Sequence, residues 1–222
     1  MPYVRYRGMR ESQRPVSFLR DHHDCKQNYL NKAGFDFLFR YTHVMVFYQG
    51  SNGRTAVLLP GRGYSPNHPV LYYAREVLLV QGWSVKEVNW SPEDFVSEEA
   101  VIERSKAELN EVADRNPLVL GKSLGSFVLP WVVQQGWQVI WLTPLLNRPE
   151  LITALKSVTG KTLLVGGTAD VSWESNVAKA SGQQVLEMPG ADHGLEVPGN
   201  PLASVALLRE LVETVTLFVE SL

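Results

Sequence analysis

The segment PLVLGKSLGS, residues 117 to 126, carries two motifs whose chemistries exclude each other. Gly121-Lys122-Ser123 is the tail of a phosphate-binding loop, whereas Gly121-Lys122-Ser123-Leu124-Gly125 is G-x-S-x-G, the strand-to-helix turn that presents a nucleophilic serine. A phosphate loop needs a second glycine five residues before Gly121. Asn116 stands there, followed by Pro117 and the strand-like Leu118-Val119-Leu120. The serine turn meets its own requirements. An apolar strand runs into Ser123, a helix-compatible segment follows, and glycines two residues to either side remove the crowding that the sharp turn creates.

A serine hydroxyl is a poor nucleophile until a base takes its proton. The chain has five histidines, His22, His23, His43, His68 and His193, and around such a turn the partners follow in the order serine, acid, histidine. Only His193 lies beyond Ser123, in the loop MPGADHGLE. Its ring needs a carboxylate to fix the tautomer. The acids between the two are Glu150, Asp170, Glu174, Glu187 and Asp192. Glu150 and Glu174 fall at helix starts, Glu187 falls inside a strand, and Asp192 is too close to His193 to bend back onto its ring. Asp170, just past the strand in LLVGGTAD, is selected. An oxyanion would need two backbone N–H donors. Leu124 supplies one, and Arg62 in Gly61-Arg62-Gly63-Tyr64 supplies the other.

These residues must be held by elements that the hydrophobic pattern reveals. THVMVFYQ and RTAVLLPG are β-rich runs separated by Gly50-Ser51-Asn52-Gly53, which reads as a hairpin turn. Helical spacing over PVLYYAREVLLVQG, a strand in WSVKEVNW, and an amphipathic helix over 97–115 capped by Ser97 follow. PLVLG, QVIWLTPL, KTLLVGG and QQVLEMPG are further strands, and Asn200-Pro201 opens the last helix. This alternation predicts an α/β fold: a mostly parallel twisted sheet with an antiparallel hairpin strand near its N-terminus and helices on both faces. In such sheets ligands bind beyond the carboxyl ends of the strands, where all the selected residues fall.

Bulk properties narrow the classes. The 222 residues suit one domain, 45% hydrophobic and 20% charged, with formal charge -2, so no whole-chain charge favours nucleic acid or a membrane surface. Cys25 is the single cysteine, which excludes an internal disulfide framework and a Cys-rich zinc site. With neither a spanning apolar run nor a secretory core, a cytoplasmic protein is expected. Residues 1–41, with eight Lys/Arg against four Asp/Glu and no sustained period, read as a poorly ordered N-terminal extension to a domain over 42–222. A natural start at Met45 is an alternative.

With its motifs in the order LLPGRG, GKSLG, LLVGGTAD and GADHG, the chain from 42 to 222 resembles an α/β-hydrolase-fold serine hydrolase of the small dienelactone-hydrolase-like and esterase-like type. The resemblance departs at Pro60-Gly61, where His-Gly is common. It implies a serine hydrolase cleaving an ester or related acyl bond through an acyl-enzyme on Ser123, without metal or organic cofactor. Only one short helix fits between LTPLL and KTLLV, so no sizeable lid is expected, and a small or solvent-exposed substrate follows. Tyr64, Asn67, His68 and Trp173 are expected around the cleft, and Lys122 is read as structural or surface. The alternatives are a non-catalytic binding or scaffold protein of the same fold and an acyltransferase using the same triad. Oligomeric state stays open.

Overall fold

The computed structural model describes residues 16–18, 45–90 and 92–222. The strands are β1 (Val16–Phe18), β2 (Met45–Tyr48), β3 (Thr55–Leu59), β4 (Ser84–Glu87), β5 (Leu118–Lys122), β6 (Val139–Leu142), β7 (Thr162–Gly167) and β8 (Gln184–Met188). They form one eight-stranded sheet in the order β1-β2-β4-β3-β5-β6-β7-β8, parallel from β4 through β8 and antiparallel where β2 meets β1 and β4. Apart from β1, the extension read over 1–41 lies outside the described residues.

The antiparallel strand is present, but not as a hairpin with the strand that follows it. β2 pairs with β4, and both edges of β3 are taken by β4 and β5. The Gly50–Gly53 turn instead docks on the start of β4: Ser51 and Asn52 donate their N–H groups to the Gly82 carbonyl at 2.7 and 2.9 Å. The physical reason is burial. Ala56, Val57, Leu58 and Leu59 are fully covered on both faces, an environment that a central parallel strand has and an edge hairpin lacks.

The helices are α1 (Pro69–Val80), α2 (Glu98–Asn110), α3 (Leu129–Gln135), α4 (Pro149–Leu155), α5 (Ser175–Ala180) and α6 (Pro201–Glu220). Strand alternation divides the core. Ala56, Leu58, Leu118, Leu120, Ile140 and Leu163 pack with α1 and α6, while Val57, Leu59, Val119, Trp141 and Leu164 pack with α2 to α5. Ser97 caps α2, its hydroxyl accepting from Ala100 N–H, and Asn200 caps α6 by accepting from Ala203 N–H. Even the charged residues of β4 are covered: Glu87 pairs with Arg75 of α1, and Lys86 pairs with Glu108 of α2 on the opposite face.

The chain winds one way from β3 to β4 and then returns to β5 on the other side of β3. The carboxyl ends of β3 and β5 therefore flank the switch in winding direction, the usual place for a ligand crevice.

Candidate active site

Ser123 is the first residue past β5 and opens a 3₁₀ helix over Ser123–Val128. Its φ of 49° lies in the left-handed region, which a side chain occupies at an expense of about 1–3 kcal/mol unless the surroundings enforce it. Those surroundings are visible. A Cβ at Gly125 would stand 2.3 Å from the Leu59 carbonyl oxygen, and one at Gly121 would stand 2.2 Å from the Trp141 ring. The Ser126 hydroxyl donates to the Ser123 carbonyl at 2.6 Å and accepts from Leu145 N–H at 3.2 Å, pinning the turn from below.

The loops after β7 and β8 are tied together by backbone. Ala169 N–H donates to the Ala191 carbonyl at 2.9 Å, and Gly190 N–H donates to the Thr168 hydroxyl at 2.7 Å. Asp170 has a fully covered side chain, one of whose oxygens accepts from Ser172 N–H at 2.8 Å. The other lies 2.7 Å from His193 Nδ1, and His193 Nε2 lies 2.7 Å from Ser123 Oγ. A carboxylate only accepts, so Nδ1 carries the proton and Nε2 is left to accept from the serine hydroxyl. The histidine side chain is 41% exposed, leaving a face open to an incoming molecule.

The competing acids have other duties. Asp192 shapes the histidine loop, accepting from Gly194 N–H at 2.8 Å and Glu196 N–H at 3.2 Å. Glu187 accepts from Lys179 and from the Trp173 indole, each at 2.9 Å, and these partners, Lys179 first, hold its carboxyl down at about 2. Glu150 pairs with Arg148.

The loop after β3 reaches the serine turn. A Cβ at Gly61 would lie 3.3 Å from Ser123 Cβ. Leu124 follows Ser123 within the first turn of its 3₁₀ helix, so its N–H has no partner within that helix. Arg62 is exposed, its guanidinium 5.4 Å from the Phe95 ring centre. A cavity of about 360 Å³ opens beside this loop, walled by Gly61, Tyr64, His68, Asn89, Trp90 and Phe95. The Tyr64 ring stacks on His68 at 4.6 Å, its hydroxyl accepts from Val70 N–H at 3.3 Å, and burial pushes the phenol up to about 12.

Asn67 and Trp173, expected around the cleft, are not brought to this cavity. Asn67 is exposed and does not line this cavity. Trp173 is buried in the core beside α5, packed over Gly166 and hydrogen-bonded to Glu187, so it supports the acid loop instead of facing a substrate. Trp90 and Phe95 line the cavity without belonging to any sequence motif. Trp90 stands just past β4, and its indole N–H donates to the Pro60 carbonyl at 2.8 Å, bracing the loop before Arg62. Lys122, read as structural or surface, is 1% exposed. Its ammonium donates to Thr143 Oγ1 at 2.8 Å and to the His193 carbonyl at 2.7 Å, and lies 4.5 Å from the Tyr64 ring centre. Burial pulls it down to about 8, against the opposing pull of Asp170 and Asp192. Strand alternation was the available signal: Leu118, Leu120 and Lys122 share a face, and the first two are core.

Among the described residues, no cluster of three or more His, Cys, Asp or Glu side chains has a metal-holding arrangement, and no helix is long and apolar enough to cross a membrane.

No protein-family model matches the sequence, and no curated protein matches it. Solved structures do resemble the fold. An alpha-beta serine hydrolase homologue from Coxiella burnetii is 18% identical at a TM-score of 0.60, with 78% of this chain and 91% of that one covered. Est1E from Butyrivibrio proteoclasticus is 12% identical at a TM-score of 0.64, covering 82% and 95%. An α/β serine hydrolase without lid from Xanthomonas campestris is 16% identical at 0.53, covering 80% and 88%. At these identities the likeness concerns the fold alone, and this chain has the α/β-hydrolase fold.

Proposed function

We propose that the protein is a serine hydrolase that cleaves a carboxylic ester, or a related acyl bond, of a small or solvent-exposed substrate. The observation that carries this reading is the unbroken relay from Ser123 Oγ through His193 to Asp170, two contacts of 2.7 Å each, with the serine held in a left-handed turn. A merely structural serine has no need of either feature.

In this reading His193 Nε2 takes the hydroxyl proton as Ser123 Oγ attacks the carbonyl carbon. The tetrahedral oxyanion is met by the Leu124 and Arg62 N–H groups. Collapse expels the alcohol, which leaves with the proton from His193, and Ser123 keeps the acyl group. Water then repeats the sequence: His193 takes its proton, the hydroxide oxygen joins the acyl carbon, and the carboxylic acid departs as Ser123 Oγ recovers the proton. Asp170 stays ionised throughout, orienting the ring and stabilising its protonated form.

Two features bear on substrate size. Between β6 and β7 the segment holds one seven-residue helix, α4, and nothing large enough to close over Ser123. The cavity beside Gly61 has aromatic walls and room for a short acyl chain or a small alcohol. Tyr64 and His68 are therefore assigned to substrate contact.

The test is steady-state hydrolysis of 4-nitrophenyl acetate and butyrate. Wild type should turn them over, and Asp170→Asn should lower kcat by about 10⁴-fold. Wild-type turnover at the buffer rate would end the proposal.

A further inference from the structure

Lys122 occupies the variable position of the serine turn, where a side chain normally faces no particular demand. Here it is a cation enclosed within the fold. It continues the inward face of Leu118 and Leu120, beyond which the apolar core ends and the loops of the site begin. Three chain segments converge on it, beside the serine turn that it opens. The β6 exit gives the Thr143 hydroxyl, the histidine loop gives the His193 carbonyl, the loop after β3 gives the Tyr64 ring, and Lys122 itself adjoins Ser123. Thr143 is fully buried and sits at φ 45°, a conformation that a β-branched residue rarely adopts.

A buried ammonium with two oxygen acceptors and an aromatic face is expensive to hold, and an aliphatic side chain would fill the same space without that penalty. What the aliphatic chain would not do is grip the His193 carbonyl. The ring of His193 is oriented at Nδ1 by Asp170, but the backbone that carries the ring is gripped by Lys122. Resting on the serine-hydrolase reading above, we propose that Lys122 is a positioning residue: it fastens the histidine loop to the serine turn, so that His193 Nε2 stays within proton-transfer distance of Ser123 Oγ.

The experiment compares wild type, Lys122→Met and Thr143→Val in hydrolysis of 4-nitrophenyl butyrate at pH 7, with fluorophosphonate labelling of Ser123 alongside. Lys122→Met should lower kcat by about 10²-fold with little change in KM, as a loosened base does. Thr143→Val keeps the side-chain shape and the cation while removing one acceptor, and should lower kcat by about threefold to tenfold. A folded Lys122→Met with wild-type kcat, or one whose loss lies in KM and not in kcat, overturns the proposal. If Lys122→Met does not fold, an unchanged kcat in Thr143→Val overturns it. A wild type that neither labels nor turns over ester contradicts the serine-hydrolase reading itself, a result distinct from either of these.

Discussion

At the carboxyl ends of β5, β7 and β8, each of the three relay side chains rises from backbone that is itself fixed. Ser123 is trapped at φ 49° between two sites where no Cβ fits, Asp170 is enclosed, and the histidine loop is laced to the acid loop and gripped by Lys122. At the carboxyl ends of β3 and β4 the arrangement is looser. Arg62 and Asn67 are exposed, and the cavity there is bounded by aromatic side chains packed on one another: Tyr64 on His68, and Trp90 tilted against Phe95 at 6.4 Å. The difference is one of physical cause. Backbone strain and hydrogen bonds that fix the position of a single side-chain atom tolerate almost no substitution, whereas aromatic walls define a space that many side chains can share.

The largest effect expected of that contrast is at Ser123. Ser123→Ala should lower kcat by about 10⁶-fold while leaving the urea midpoint near that of wild type, because the left-handed strain and the Ser126 contact to its carbonyl remain. Gly125→Ala comes next and should damage the fold as well as the rate. Its Cβ meets the Leu59 backbone at 2.3 Å, and a strand does not move aside as a side-chain tip does. A loss of about 3 kcal/mol in urea unfolding is expected; wild-type stability would mean that the turn is more pliable than its geometry states.

The buried cation sets a pH signature. Lys122 holds its proton less tightly in the fold, at about 8, than in the unfolded chain near 10.5. Between those values the unfolded chain binds more protons, so stability rises with pH through that window, by at most about 3 kcal/mol. Tyr64 has the opposite sign. Its phenol titrates at about 12 in the fold against 10.0 unfolded, so the stability it contributes is present below pH 10 and is lost from there towards 12. Urea midpoints of wild type, Lys122→Met and Tyr64→Phe from pH 7 to 11 check both: the gap between wild type and Lys122→Met should change in favour of wild type above pH 8. A constant gap would mean that the ammonium is better solvated than its enclosure implies.

The smallest effects belong to the cavity. His68→Ala should raise KM for short esters by about threefold to tenfold, the worth of one aromatic contact, with kcat held. Asn67→Ala should leave both constants unchanged.

What the sequence made legible follows the same division. That Ser123, Asp170 and His193 come together was readable because a strained turn needs glycines at fixed offsets, and because strand ends carry the partners in a fixed order. These are constraints on consecutive residues. The partner of β2 was not readable, because pairing is decided by which strand can be covered on both faces. Trp173 looked like a cleft residue from its place beside Asp170, yet its ring turns inward over Gly166 to meet Glu187. Lys122 was legible in principle. Its place at the end of a strand with core on both faces left it structural or surface, and only the acceptors from β6 and the histidine loop decide between the two. Side-chain neighbours drawn from distant segments leave no local pattern.

The central claim is that Ser123 is an activated nucleophile. The most direct test treats folded wild type and Ser123→Ala with a fluorophosphonate probe and identifies the modified peptide by mass spectrometry. The account predicts an adduct on Ser123 in wild type, with none in the variant. Folded wild type that stays unmodified, or an adduct on another residue that persists in Ser123→Ala, would contradict it.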